Sequence, residues 1–140
     1  MRVMLMIKGD PEPGAAPSEE LLAAMGRYND ELKAAGVLLD LSALHPSAEG
    51  RRVKFSGGKR TVIDGPFAEA RELVAGFSIW QVKDMDEALA WVARCPNTLP
   101  DRPGVIEIRP FYEAADLAEF LTPEELSTPR DGERGKLGVA

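Results

Sequence analysis

With one cysteine and one histidine in the whole chain, most covalent and metal-based chemistry is out of reach. Cys95 has no partner for an intrachain disulfide, and Cys95 with His45 cannot make up the ligand set of a structural zinc. No metal and no cofactor are expected. Basic residues are in the minority, 17 against 23 acidic, and the net charge of −6 has the wrong sign for tracking a phosphate backbone or an anionic membrane. Nucleic acid and membrane are therefore not expected as partners. Long apolar runs are absent too: Val3 to Ile7 is the only continuous one near the N-terminus, and Lys8 and Asp10 follow at once. That length falls far short of a signal peptide or a spanning helix, so the expected location is cytoplasmic. No GxxxxGK[ST] or GxGxxG pattern follows a strand and opens a helix, which removes the usual nucleotide signatures.

What is there suffices for one globular domain: 140 residues, 44% hydrophobic and 29% charged. Residues 1–126 carry the patterned segments, and 127–140 read as a polar tail. Arg2–Lys8 reads as a strand. Ser18 is placed as an N-cap before Glu19 and Glu20, and Leu21, Leu22, Met25, Tyr28 and Leu32 recur at helical spacing until Gly36 stops the helix. Val37–Leu44 is the next strand. Val53–Ser56 and Arg60–Ile63 flank Gly57-Gly58-Lys59 as a short hairpin that looks like an insertion. Val74–Val82 follows as a strand. A helix capped by Asp84 and Glu87 presents Ala88, Leu89, Trp91, Val92 and Cys95 as its apolar side, and Val105–Pro110 is the last strand.

Strand, helix, strand, hairpin, strand, helix, strand is the doubled split βαβ order of a ferredoxin-like α+β fold. Two helices cover only one face of such a sheet, yet the first strand is apolar on both alternating sets, Val3, Leu5 and Ile7 against Met4 and Met6. The second face needs a lid, and another copy of the chain would supply one.

Between the hairpin and the following strand lies Asp64-Gly65-Pro66-Phe67-Ala68-Glu69-Ala70-Arg71-Glu72-Leu73. Asp64 reads as an N-cap, Pro66 as the first residue of a short helical turn and Phe67 as its pin onto a core. Together with Met4-Leu5-Met6-Ile7-Lys8, Ser18-Glu19-Glu20-Leu21-Leu22, Tyr28-Asn29-Asp30-Glu31-Leu32, Leu44-His45-Pro46 and Gly104-Val105-Ile106-Glu107-Ile108-Arg109, this run resembles the YCII-related, or DGPF-domain, family of small and mostly bacterial proteins. The resemblance implies a ferredoxin-like unit paired into a dimeric α/β barrel, with activity unknown for most members. Some relatives are dehydrochlorinase-like lyases and others are associated with sigma-factor regulation. Some are thought to use a His–Asp pair with the histidine on the first helix, where this chain places Met25.

Two readings of function stand side by side. In one, a metal-independent lyase or isomerase moves a proton on a small organic anion at the dimer cleft, with His45 and Asp64 as catalytic candidates and Arg109 holding the anion. In the other, the same chamber serves a non-catalytic metabolite-binding or regulatory module. Asp40 shares a side of its strand with Ser42, and Glu107 shares one with Arg109. Facing a dimer interior they would form a charged cluster; facing solvent, Glu107 and Arg109 are an ordinary ion pair. Tyr28 lies on the helical stripe, as a ligand contact or as core with its hydroxyl satisfied. Cys95 reads as a small buried apolar group, and the basic residues Arg51, Arg52, Lys54, Lys59 and Arg60 as the solvated surface of the hairpin.

Overall fold

The computed structural model describes residues 1–14, 16–97 and 103–127. Six strands, β1 (Arg2–Lys8), β2 (Leu38–Ala43), β3 (Arg51–Ser56), β4 (Lys59–Asp64), β5 (Val74–Gln81) and β6 (Val105–Pro110), are interspersed with three helices, α1 (Glu19–Ala34), α2 (Met85–Val92) and α3 (Pro123–Ser127). Four strands form an antiparallel sheet in the order β2-β5-β1-β6, and β3 pairs with β4 as a separate hairpin. The α+β class and the ferredoxin-like order agree with the sequence reading. The expected tail falls on residues outside the described ones, apart from Ser127.

Local signals explain the helices. Ser18 Oγ accepts the Leu21 amide at 3.1 Å, the N-cap bond expected of it. At the other end the Gly36 amide donates to the Lys33 carbonyl and the Val37 amide to the Leu32 carbonyl, which together make a Schellman stop. Asp84 caps α2 by accepting the Glu87 amide at 2.9 Å, while the Glu87 carboxylate takes the Lys83 amide. Gly57 and Gly58 both have positive φ, +55° and +81°, so the tight turn joining β3 to β4 consists of these two residues, and Lys59 already belongs to β4.

Register assigns the faces, because residues directly opposite each other share a side of the sheet. Val3 lies across from Trp80, and Trp80 from Leu38; these residues, with Leu5, Val37 and Val82, meet Tyr28 and Leu32 of α1 and Ala88 of α2 in the buried core. Both helices therefore pack on the Val3 face. Leu89, expected on the apolar side of α2, is 53% exposed and points away from that core. The opposite face carries Met4 and Met6 on β1 with Ile79 and Phe77 across from them on β5, all four half-buried.

Candidate functional site

The chain leaves β2 through Leu44-His45-Pro46 and enters a tight 3-10 turn, Ser47–Glu49, closed by the Glu49 amide on the Pro46 carbonyl and the Gly50 amide on the Ser47 carbonyl. Asp10, in the loop after β1, seats that turn. One of its carboxylate oxygens accepts the Ser47 amide at 2.7 Å and the other accepts the Ser47 hydroxyl at 2.5 Å. The hydroxyl in turn accepts the Phe67 amide at 3.1 Å. The two bonds from Ser47, the hydroxyl first and the amide second, hold the Asp10 carboxyl below the ordinary carboxylate range.

Gly65 completes the junction. Its amide donates to the Gly50 carbonyl, and a Cβ built on it would stand 1.7 Å from the Ser47 carbonyl oxygen. The Asp64–Phe67 run thus departs from the helical turn expected of it. Asp64 is the last residue of β4, the Gly65–Pro66 peptide is cis, and the following 3-10 turn starts only at Ala70, with Glu69 in the capping position. Pressure of Gly65 against the Ser47 turn sets the path here, a tertiary constraint that local turn chemistry does not carry. Phe67 lies outside the core cluster, half-buried, with the Arg52 guanidinium 3.9 Å above its ring.

These segments enclose a groove of about 610 Å³, walled by Leu44, Phe67, Leu73 and Val74 and carrying His45, Glu49 and Asp10 as polar groups. His45 Nδ1 lies 2.8 Å from Glu49 Oε2. Both side chains are exposed, and in the neutral ring with Nδ1–H donating to that carboxylate, Nε2 is the nitrogen with the free lone pair. A proton acceptor oriented by a carboxylate at the mouth of an apolar groove is an arrangement able to move a proton on a bound molecule. Glu49 was not singled out from sequence. Its position four residues after His45, across a proline that opens a turn, is the signal that identifies it.

The other candidates separate. Asp64 forms an exposed ion pair with Arg51 at 2.8 Å across the base of the hairpin and does not line the His45 groove. Asp40 and Ser42 lie opposite Ile79 and Phe77, while Glu107 and Arg109 lie opposite Met6 and Met4, so all four share the Met4 face of the sheet. They occupy its two edges, however, with β5 and β1 between, a gap of three strand spacings or about 14 Å within one chain. Tyr28 is core: it is 6% exposed, its hydroxyl donates to the Trp91 carbonyl at 2.8 Å, and burial pushes its pKa well up. Burial also raises the Cys95 thiol, in keeping with the apolar role expected of it.

A second cavity, about 500 Å³, lies between α1 and the sheet, with Leu21, Met25 and Tyr28 on the helix side and Leu5, Trp80 and Ile106 on the sheet side. Its walls are overwhelmingly apolar. Trp80 is 2% exposed, and its indole N–H has no acceptor among the described residues.

A family model described as YCII-related domain matches residues 1–115. Among curated proteins the chain is similar to the uncharacterized protein R00369 of Rhizobium meliloti (strain 1021), 36% identical over 85 residues, which is 59% of this chain and 68% of that protein.

Proposed function

The chain belongs to the YCII-related family, and from that premise we propose that it is a metal-independent acid/base enzyme of the lyase or isomerase kind, acting on a small organic molecule in the groove beside His45. The observation that carries this is the 2.8 Å contact between His45 Nδ1 and Glu49 at the exposed rim of that groove. His45 abstracts or returns the proton through Nε2, Glu49 keeps the ring in the matching tautomer, and the Asp10–Ser47 bonds hold the wall in place. In this reading Glu49 takes the part first given to Asp64. The molecule works as a homodimer closed through the Met4 face, which brings Asp40, Glu107 and Arg109 into a shared interior where Arg109 meets an anionic substituent. Support for that closure comes from four half-buried apolar side chains on a face that α1 and α2 do not cover.

The α1 cavity favours a second reading, a metabolite-binding or regulatory module, because it is large enough for a small ligand and mostly apolar, with Asn29, Ser42 and Ser78 among its lining. One experiment separates the two. The protein is incubated in D2O with a panel of small oxo and hydroxy acids, and deuterium incorporation at carbon is followed by NMR. Catalysed exchange that falls roughly 10²-fold or more in His45→Gln supports proton chemistry. A compound that binds without exchange, and whose binding is lost in Met25→Trp while His45→Gln leaves it intact, moves the assignment to the cavity.

A further inference from the structure

The β3–β4 hairpin is exposed along the whole of both strands, on both faces. A two-stranded ribbon wet on both sides is marginal in water, since it lacks a face to bury. Near its base it is tied down by Gly65 on Gly50 and by Arg52 over Phe67. One of its faces nevertheless carries Val53, Phe55 and Val62, of which Phe55 is 70% and Val62 63% exposed. The ribbon is also strongly basic: Arg51, Arg52, Lys54, Lys59 and Arg60 stand against Asp64 alone, in a chain whose net charge is −6.

Residues 111–127 have the complementary character. They contain Glu113, Asp116, Glu119, Glu124 and Glu125 and no lysine or arginine. Tyr112 and Phe120 are 75% and 76% exposed there, and with Phe55 they are the three exposed large aromatic side chains among the described residues. Topology keeps the two patches apart within a chain. The hairpin departs from the Lys8 end of β1 on the β2 side of the sheet, whereas residue 111 departs from the Arg2 end, where its amide donates to the Arg2 carbonyl and Glu113 pairs with Arg2. The two departures are separated by the length of the sheet, about 20 Å of strand.

We propose that the hairpin of one copy docks, through Val53, Phe55 and Val62, on the acidic, aromatic segment 111–127 of a second copy. The contact is isologous, made twice about one two-fold axis, so it closes at a dimer. It rests on the self-association already proposed for the Met4 face and adds to it a clasp that selects a second copy by charge. Arg60, opposite Phe55 near the tip of the hairpin and with its guanidinium 5.2 Å from that ring, is the cation of the docking face.

The test uses the full chain and measures the dimer dissociation constant by analytical ultracentrifugation from about 50 mM to about 500 mM salt. A wild-type dimer that weakens with salt is expected, with at least a tenfold further loss in Arg60→Glu, a comparable loss in Phe55→Ser, and recovery when Arg60→Glu is combined with Glu119→Lys in one chain. All these positions are exposed, and circular dichroism melts check that each variant folds. A dimer that Met6→Asp dissociates but Phe55→Ser and Arg60→Glu leave unchanged overturns the clasp and keeps the sheet-face reading. A wild-type chain that stays monomeric at about 100 μM overturns both, including the case where these surfaces serve a different protein.

Discussion

Asp10 and Ser47 are 37 positions apart and share two hydrogen bonds, one to each carboxylate oxygen of Asp10. They fasten the loop after β1 to the turn after β2 and shape one wall of the His45 groove. Because these bonds lower the Asp10 pKa, the stabilisation is present above the ordinary value of 3.8 and is lost as pH falls through the lower folded value. Ser47→Ala should destabilise the fold and flatten the dependence of unfolding free energy on pH below about pH 4, and Asp10→Asn should flatten it likewise. Urea denaturation at a series of pH values reads both. An unchanged acid limb in Ser47→Ala would mean that the pair carries no linkage.

Gly65 should tolerate no side chain. The clash at 1.7 Å is with the Ser47 carbonyl oxygen and the next, at 2.7 Å, with its carbon, so no rotamer relieves either. Gly65→Ala is expected to cost about 3 kcal/mol or more, near the top of the range for overpacking, or a fall in Tm of roughly 10 °C or more. Gly26 provides the control. It lies inside α1 with nothing within 4 Å of a Cβ, and Gly26→Ala should stabilise by about 0.5–1 kcal/mol through helix propensity.

Tyr28 sets an alkaline limit. Burial raises its pKa in the folded chain above the ordinary 10.0, so the unfolded chain ionises first, and stability falls as pH rises past 10 toward the folded value. In Tyr28→Phe that tyrosine contribution disappears. Near neutrality the same variant should be about 1 kcal/mol less stable, because the Trp91 carbonyl keeps the Arg94 amide but loses the hydroxyl that ties α1 to α2. Equal slopes for both proteins above pH 10 would refute the assignment.

Asp64→Ala distinguishes a cap from a surface pair. Asp64 ends β4 and meets Arg51 with both side chains more than half exposed. The expected loss is below about 1 kcal/mol and shrinks with salt. A larger, salt-independent loss in a thermal melt would restore the capping role first read from the sequence.

The order of elements was legible because each rests on a local signal: a serine with acids behind it for α1, Gly36 for its end, paired glycines for the hairpin. That β1 is apolar on both faces was legible as well, since strand alternation needs no knowledge of partners; which face the helices cover was not. Illegible was whatever three separate segments decide together. Ser47 touches Asp10, Phe67 and the space beside Gly65, and none of these neighbours follows from its own sequence surroundings. Asp64 looked like a cap for that reason: Asp-Gly-Pro is good turn chemistry in isolation, and only contact with the Ser47 turn reveals that the glycine is there for space. Asp40 and Arg109 were correctly placed on strands, but strand order alone could tell that they stand at opposite edges.

β2 and β5 are adjacent in the sheet, so everything from Leu44 to Leu73 is, topologically, one long connection between neighbouring antiparallel strands. Loop closure grows only slowly with length, by about 0.6 kcal/mol per doubling, so that connection can be lengthened, trimmed or exchanged while the sheet keeps its register. The groove at His45 and the projecting ribbon are both built from it. The shape of the groove and of the ribbon can therefore change as a single replaceable cassette, provided the new insert still offers two donors to Asp10.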